Sequence, residues 1–312
     1  MSTDPNVFCL MGPTASGKTA LALEFLSLFP FEIISVDSAM IYREMDIGTA
    51  KPSAQELAFA PHHLIDIINP DETFSAAAFV SKTKALCEKI FKQSKIPLLV
   101  GGSCLYFSAL QRGLAILPEK NEQLRQGLVQ RAETEGWQVL YDELRERDPR
   151  SALNIHPKDK QRIQRALEVV YLTGKPLSSY FEETVDEPSF SFINLILVPK
   201  DRAWLHQRIA LRLQTMLKQG LIDEVECLIS KWSLTLSHPS MRTVGYRQTR
   251  EYLEGDCDYD TFCAKAVAAT RQLAKRQLTW LRHWPTGQVF SCDEANNMQD
   301  MVAVISKILD NS

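Results

Sequence analysis

Apolar positions in the first hundred residues come in short unbroken runs, each separated from the next by a stretch of helical spacing. Val7 to Met11 is wholly apolar, and Lys18 to Leu28 then carries a helical pattern. Glu32 to Val36 forms a second run that ends at Asp37. A helix from about Ser75 to Gln93 precedes a third run, Pro97 to Val100, which continues into Gly101 and Gly102. Short runs without polar alternation mark strands buried on both faces, as in a parallel sheet covered by crossover helices. Such sheets bind ligands beyond the carboxyl ends of their strands. Met11/Gly12, Asp37 and Gly101/Gly102 all fall at that end.

From about Pro118 to Glu187 the pattern changes to charged helices only: Asn121 to Glu135, Trp137 to Arg147, and Lys158 to Thr173, stopped by Gly174. Phe192 to Val198 then reads as a strand that returns the chain to the sheet, and helices dominate afterwards. The expected organisation is a core built from residues 1–117 and 188–312, with a helical insertion domain at 118–187. A chain of 312 residues suits one core plus a smaller companion. No internal repeat or low-complexity segment interrupts it.

Charge adds a local signal that the total conceals. The net charge is −3, yet Lys200 to Trp284 holds 14 Lys and Arg against 9 Asp and Glu. A basic region on a mildly acidic protein suggests a surface for an anion. The first residues have no basic, apolar signal-peptide pattern, and no apolar run is long enough to span a membrane. The seven cysteines are scattered without a C-x-x-C pair and read as reduced thiols. A cytoplasmic protein is expected. His62 and His63 beside Asp66 imitate a metal cluster, but adjacent strand residues point to opposite faces.

The clearest chemistry is in Gly12, Pro13, Thr14, Ala15, Ser16, Gly17, Lys18 and Thr19. They fit G-x-x-x-x-G-K-[ST] directly after a predicted strand and before a predicted helix. Glycines let successive backbone N–H groups turn inward, and the helix N-terminus adds its dipole, so the loop cradles a di- or triphosphate. Lys18 supplies a charge, and the Thr19 hydroxyl suits Mg²⁺. The fold class expected is therefore α/β: a P-loop NTPase-like parallel sheet flanked by helices, with an inserted all-helical domain. An ordinary NTPase would often end its third strand in an acidic metal ligand, whereas this one ends in Gly101-Gly102. The nearest strand-end carboxylate is Asp37, followed by Ser38. It suits a metal ligand or a base, and equally a cap for the next turn.

On a wheel of about 100° per residue, Lys265, Arg271, Lys275, Arg276 and Arg282 fall within about a 140° arc. Ala266, Val267, Leu273, Leu278, Trp280, Leu281 and Trp284 lie opposite. A solvated face usually mixes both signs; a one-signed row favours nucleic acid. Arg208 and Arg212 are a like-charged i,i+4 pair, and Arg162 and Arg165 cluster with Lys158 and Lys160 in the insertion.

These blocks together resemble the bacterial tRNA dimethylallyltransferases of the isopentenyl-transferase family. The resemblance runs in order through Gly12–Thr19, Ser35–Arg43, Met45–Pro52, His62–Asp66, Gly101–Tyr106, His156–Val169, Val244–Arg247 and Thr270–Arg282. It implies transfer of a dimethylallyl group from dimethylallyl diphosphate to N6 of the adenosine immediately 3′ of the anticodon (adenosine 37) in tRNAs reading codons that begin with U. The products would be N6-(dimethylallyl)adenosine and diphosphate, with Mg²⁺ as cofactor. By the same resemblance, Asp37, Lys18, Thr19 and Arg212 carry catalysis, and Gly12 to Thr19 hold the donor's diphosphate, with the metal at Thr19. The tRNA contacts implied are Asp37, Ser38, Ala39, Met40, Ser103 and Arg125; Gln161, Arg162, Ile163, Gln164 and Arg165; Arg242, Thr243, Val244, Gly245, Tyr246 and Arg247; and Lys275, Arg276, Gln277, Leu278, Thr279, Trp280, Leu281 and Arg282. The family commonly has Thr where this chain has Ser103, which keeps the hydroxyl and loses a methyl. The partners expected are the anticodon stem-loop and the diphosphate donor, with no membrane, and the chain acting as a monomer. The alternatives are a P-loop small-molecule or nucleotide kinase, which has no need of a one-signed helix, and a non-catalytic RNA-binding ATPase.

Overall fold

The computed structural model describes residues 5–115, 117–181 and 190–310. Six strands form one sheet: β1 (Asn6–Met11), β2 (Phe31–Val36), β3 (His62–His63), β4 (Ile96–Gly101), β5 (Ser191–Val198) and β6 (Gln288–Ser291). Their order is β3-β2-β4-β1-β5-β6, and every pairing is parallel. The apolar runs explain this. Val7, Cys9 and Met11 enter one core layer with Phe79, Cys87 and Ile90 of the helix Ala76–Lys92. Phe8 and Leu10 enter the other, with Phe25 of the helix Lys18–Leu28 and Met301 and Ile305 of the helix Asn297–Leu309. Both faces are covered, so no polar alternation survives in the central strand.

Register sets up the site. Met11 of β1 and Val36 of β2 both stand opposite Gly101 of β4. The residues that follow, Gly12, Asp37 and Gly102, therefore leave the sheet from one row across three adjacent strands. Gly101 is required there: a Cβ would lie 2.0 Å from the Val36 carbonyl oxygen. Outside the sheet, the helices Arg202–Lys218, Leu221–Trp232 and Tyr246–Leu253 and the first half of Tyr259–Arg282 share a further core with Ile41, Tyr42 and Met45.

The chain divides into two compact units, Met1–Gln111 with Ser189–Ser312, and Arg112–Pro188. The second begins earlier than the helical spacing marked, because Leu117 packs on its core without lying in a helix. Its helices Glu122–Glu135, Trp137–Arg147 and Lys160–Thr173 match the expected ones. It adds Pro149–Asn154, capped by Asp148, whose side chain accepts from Ser151 N at 3.0 Å. Among the described residues no helix is long and apolar enough to cross a membrane. All seven cysteines are free.

Candidate active site

The loop after β1 is held open by its neighbours. Ala15 adopts φ +63° and Gly17 φ +91°, the left-handed conformation that turns N–H groups inward. Lys18 Nζ donates to the Pro13 carbonyl at 2.7 Å, and Arg208 Nε donates to the Ala15 carbonyl at 2.8 Å. Burial pulls the Lys18 amine down to about 8, with Asp37 opposing that shift and Arg212 adding to it. Burial likewise lowers Arg212, and Asp37 again opposes. The carboxylate and the two cations thus form one electrostatic cluster. The Thr19 hydroxyl makes no hydrogen bond among the described residues, so its lone pairs are free to ligate a metal. No group of three His, Cys, Asp or Glu among those residues could hold a metal by itself. Mg²⁺ at Thr19 fits this chemistry, since that ion keeps waters and takes substrate phosphate oxygens.

Asp37 leaves β2 into a tight turn in which its Oδ1 accepts from Ala39 N at 2.8 Å and Met40 N at 3.3 Å. Asp37 Oδ1 thus caps this turn. Oδ2 has no hydrogen-bond partner among the described residues, which leaves one oxygen oriented and free. Ser103 Oγ accepts from Ser38 N at 3.0 Å, tying the turn after β2 to the turn after β4. The hydroxyl that Ser103 shares with Thr is the part in use.

Arg212 NH2 donates to the Thr49 carbonyl at 3.0 Å. The loop carrying Thr49 is fixed by Glu224, which accepts from Asp46 N (3.0 Å), Ile47 N (2.7 Å), Gly48 N (3.2 Å) and the Tyr246 hydroxyl (2.6 Å). Sequence spacing gave Glu224 no role. Its signal is only an acidic side chain in the first turn of Leu221–Trp232.

These features fit the relatives. The family model described as IPP transferase matches residues 40–284. A tRNA dimethylallyltransferase of Legionella pneumophila (strain Lens) is 56% identical over 306 residues, 98% of each chain. The chain belongs to the IPP transferase family. A tRNA dimethylallyltransferase of Coxiella burnetii (strain RSA 493 / Nine Mile phase I) is 47% identical over 309 residues, 99% of each chain. The full-length tRNA isopentenylpyrophosphate transferase of Bacillus halodurans superposes with TM-score 0.71 at 32% identity, covering 99% of this chain and 98% of that one. A eukaryotic dimethylallyltransferase solved acting on tRNA gives TM-score 0.81 at 25% identity, over 98% of this chain and 80% of that one. The chain is thus a transferase of the tRNA-modifying, prenyl-transferring kind, and the kinase and ATPase alternatives fall away.

Within this transferase fold the residues assigned to RNA by resemblance divide into two sets. Arg271, Lys275, Arg276 and Arg282 are exposed along Tyr259–Arg282 and have no ion-pair partner among the described residues. Lys265 departs from the one-signed row, pairing with Glu251 at 3.4 Å. Trp280 also departs from its expected apolar side: it is 41% exposed, because the packed strip at Ala274, Leu278 and Leu281 is narrower than the apolar arc. Thr279, Arg242, Arg247, Gln161 and Arg162 are exposed, with Arg242 on the Leu236 carbonyl, Arg247 on Glu251 and Arg162 on Asp159. Thr243, Val244, Ala39 and Met40 are half-buried, Gly245 is buried and Ser38 is exposed.

The others are buried in whole or in part and engage groups inside the protein. Ile163 and Tyr246 are wholly buried, and Leu278 and Leu281 nearly so, so their side chains pack rather than reach RNA. Arg125 and Arg165 turn toward Glu168, at 3.3 and 2.7 Å, and Gln164 donates to the Arg125 carbonyl at 3.0 Å. Glu168 is fully buried, and the two arginines together compensate its charge. Gln277 binds the phosphate loop instead. Asp66, beside the two histidines, pairs with Lys51 at 2.6 Å, while His63 pairs with Glu32 at 2.5 Å, so the histidine pair does edge-strand work.

Proposed function

We propose that this chain transfers a dimethylallyl group from dimethylallyl diphosphate to N6 of the adenosine 3′ of the anticodon in tRNAs reading codons that begin with U. The observation that carries this reading is the cluster of Asp37, Lys18 and Arg212 at the shared end of β1, β4 and β2. In the reaction the donor's C1–O bond breaks and a C1–N6 bond forms. Diphosphate leaves with the bonding pair, and N6 loses a proton. Backbone N–H groups at the end of the loop, those of Gly17, Lys18 and Thr19, with the Lys18 amine and Arg212, face the charge that grows on the leaving diphosphate. Mg²⁺ at Thr19, when bound, would neutralise part of that charge.

An exocyclic adenine amine is a poor nucleophile because its lone pair is delocalised into the ring. Asp37 Oδ1 is fixed by its own turn, which aims Oδ2 to accept a hydrogen bond from the amine and take its proton. The base must first leave the loop stack, at a cost of a few kcal/mol that RNA contacts offset. The row Arg271, Lys275, Arg276 and Arg282 supports that role, and the insertion's exposed Gln161 and Arg162 are assigned to the same stem-loop. The chain is taken to act as a monomer on tRNA.

The test uses purified protein, Mg²⁺, labelled donor and unmodified tRNA. Label should enter the tRNA, and Asp37→Ala should lower single-turnover transfer by at least about 10²-fold while tRNA affinity stays within about twofold. Phosphate release from ATP without label transfer would overturn the reading. Loss of RNA affinity alone in Asp37→Ala would overturn the proton-acceptor role.

A further inference from the structure

We propose that Gln277 is a positioning residue for the diphosphate donor, holding the phosphate loop from the helix that carries the cationic row. This rests on the functional reading above and extends it. The Gln277 side-chain amide spans two loops. Its Oε1 accepts from Thr14 N at 2.9 Å, within the loop after β1, and its Nε2 donates to the Gly102 carbonyl at 3.0 Å, after β4. Both ends of the amide are occupied inside the protein, so this residue does not share the RNA contacts of its exposed neighbours Lys275 and Arg276. The fit is close. A Cβ at Gly102 would lie 2.4 Å from Gln277 Nε2 and 3.1 Å from the Gly12 carbonyl, so only glycine leaves room for the amide.

The loop needs such a hold. Ala15 sits in the left-handed region without being glycine, a conformation that persists only when surroundings over-determine it. Lys18 holds the Pro13 carbonyl and Arg208 holds the Ala15 carbonyl. Gln277 is the only one of the three that fixes a backbone N–H. Holding Thr14 N sets the orientation of the first peptides of the cradle, and the bond to Gly102 locks the cradle to the turn that carries Ser103. The helix itself is anchored on both sides: Leu281 packs in the core layer with Met11, while Ala274 and Leu278 pack with Leu205 and Ile209 against Ala15. The amide therefore projects from a fixed base.

The test compares full-length wild type, Gln277→Ala and Gln277→Met, the second keeping the side-chain length while removing both hydrogen bonds. Four quantities are read: donor KM, kcat, the dissociation constant of unmodified tRNA, and the binding of inorganic diphosphate with Mg²⁺ by calorimetry. Donor KM and the diphosphate dissociation constant should rise in parallel by about tenfold, as for two neutral hydrogen bonds lost. The kcat should fall less than about threefold and tRNA affinity should stay within about twofold. Gln272→Ala, exposed on the same helix, should leave donor KM unchanged. Weakened tRNA binding with unchanged donor KM would overturn the proposal and make Gln277 an RNA contact. Equal losses of donor affinity, tRNA affinity and unfolding midpoint in both variants would overturn it too, as a general packing role. Diphosphate binding reads the loop without any transfer, so failure of wild type to label tRNA, which sinks the functional reading, is separate from failure here.

Discussion

Replacing Glu224 with alanine tests how Arg212 is placed. Glu224 receives four hydrogen bonds, three from the backbone of residues 46–48 and one from Tyr246. Burial and the nearby Glu224 carboxylate push the Tyr246 phenol far up, so it is protonated and donating. Alanine leaves that hydroxyl unpaired in a residue with no exposed surface, at about 1–3 kcal/mol. The N–H groups of Ile47 and Gly48 are partly buried, and rehydrating them adds roughly 1 kcal/mol each. The expected loss is therefore about 3–5 kcal/mol in urea unfolding. A Cβ at Gly48 would lie 2.5 Å from the Tyr246 ring, so the loop is packed against that ring and moves when it does. Thr49 follows, and its carbonyl holds Arg212, so single-turnover transfer should fall by at least tenfold under conditions where the variant remains folded. Tyr246→Phe removes one of the four donors, so the two substitutions should be non-additive by about 1 kcal/mol or more. A loss below about 1 kcal/mol for Glu224→Ala, or strict additivity with Tyr246→Phe, would refute the network.

Lys18, pulled to about 8 in the free protein, must be protonated to face diphosphate. Donor KM should climb about tenfold per pH unit above that value, and diphosphate binding at pH 9 should take up a proton, read from calorimetric heats in buffers of different ionisation enthalpy. Because its folded value lies below the unfolded 10.5, the unfolded chain binds more protons between about 8 and 10.5, so this group makes the ligand-free protein more stable as pH rises through that window. Arg271→Ala with Lys275→Ala should reduce the slope of log affinity for tRNA against log salt by about 1 to 2, with kcat at saturating tRNA nearly unchanged. Gly101→Ala forces a Cβ to 2.0 Å from the Val36 carbonyl, so a cost of about 3 kcal/mol or more is expected, measured by denaturant unfolding.

The local parts of this protein are legible in its sequence. The unbroken apolar runs at Val7–Met11 and Leu98–Val100 read as strands covered on both faces, and the loop from Gly12 to Thr19 announces a phosphate cradle by its G-x-x-x-x-G-K-[ST] spacing. The cations of Arg271 to Arg282 share a face because helical spacing is fixed by backbone geometry. What pattern cannot supply is which partner a side chain finds across the chain. Gln277 lies 263 residues from Thr14, and Glu224 176 residues from Gly48; nothing in the spacing links either pair. Arg125 and Arg165 look like surface cations by composition, and only packing around Glu168 turns them inward. The late strand Gln288–Ser291 escaped the pattern because an edge strand needs little apolar length. Sequence determined the elements and the chemistry available at their ends. The parallel register that brings Gly12, Asp37 and Gly102 into one row, and the long-range hydrogen bonds that hold them there, belong to the tertiary structure, because they depend on distances between segments that no local preference encodes.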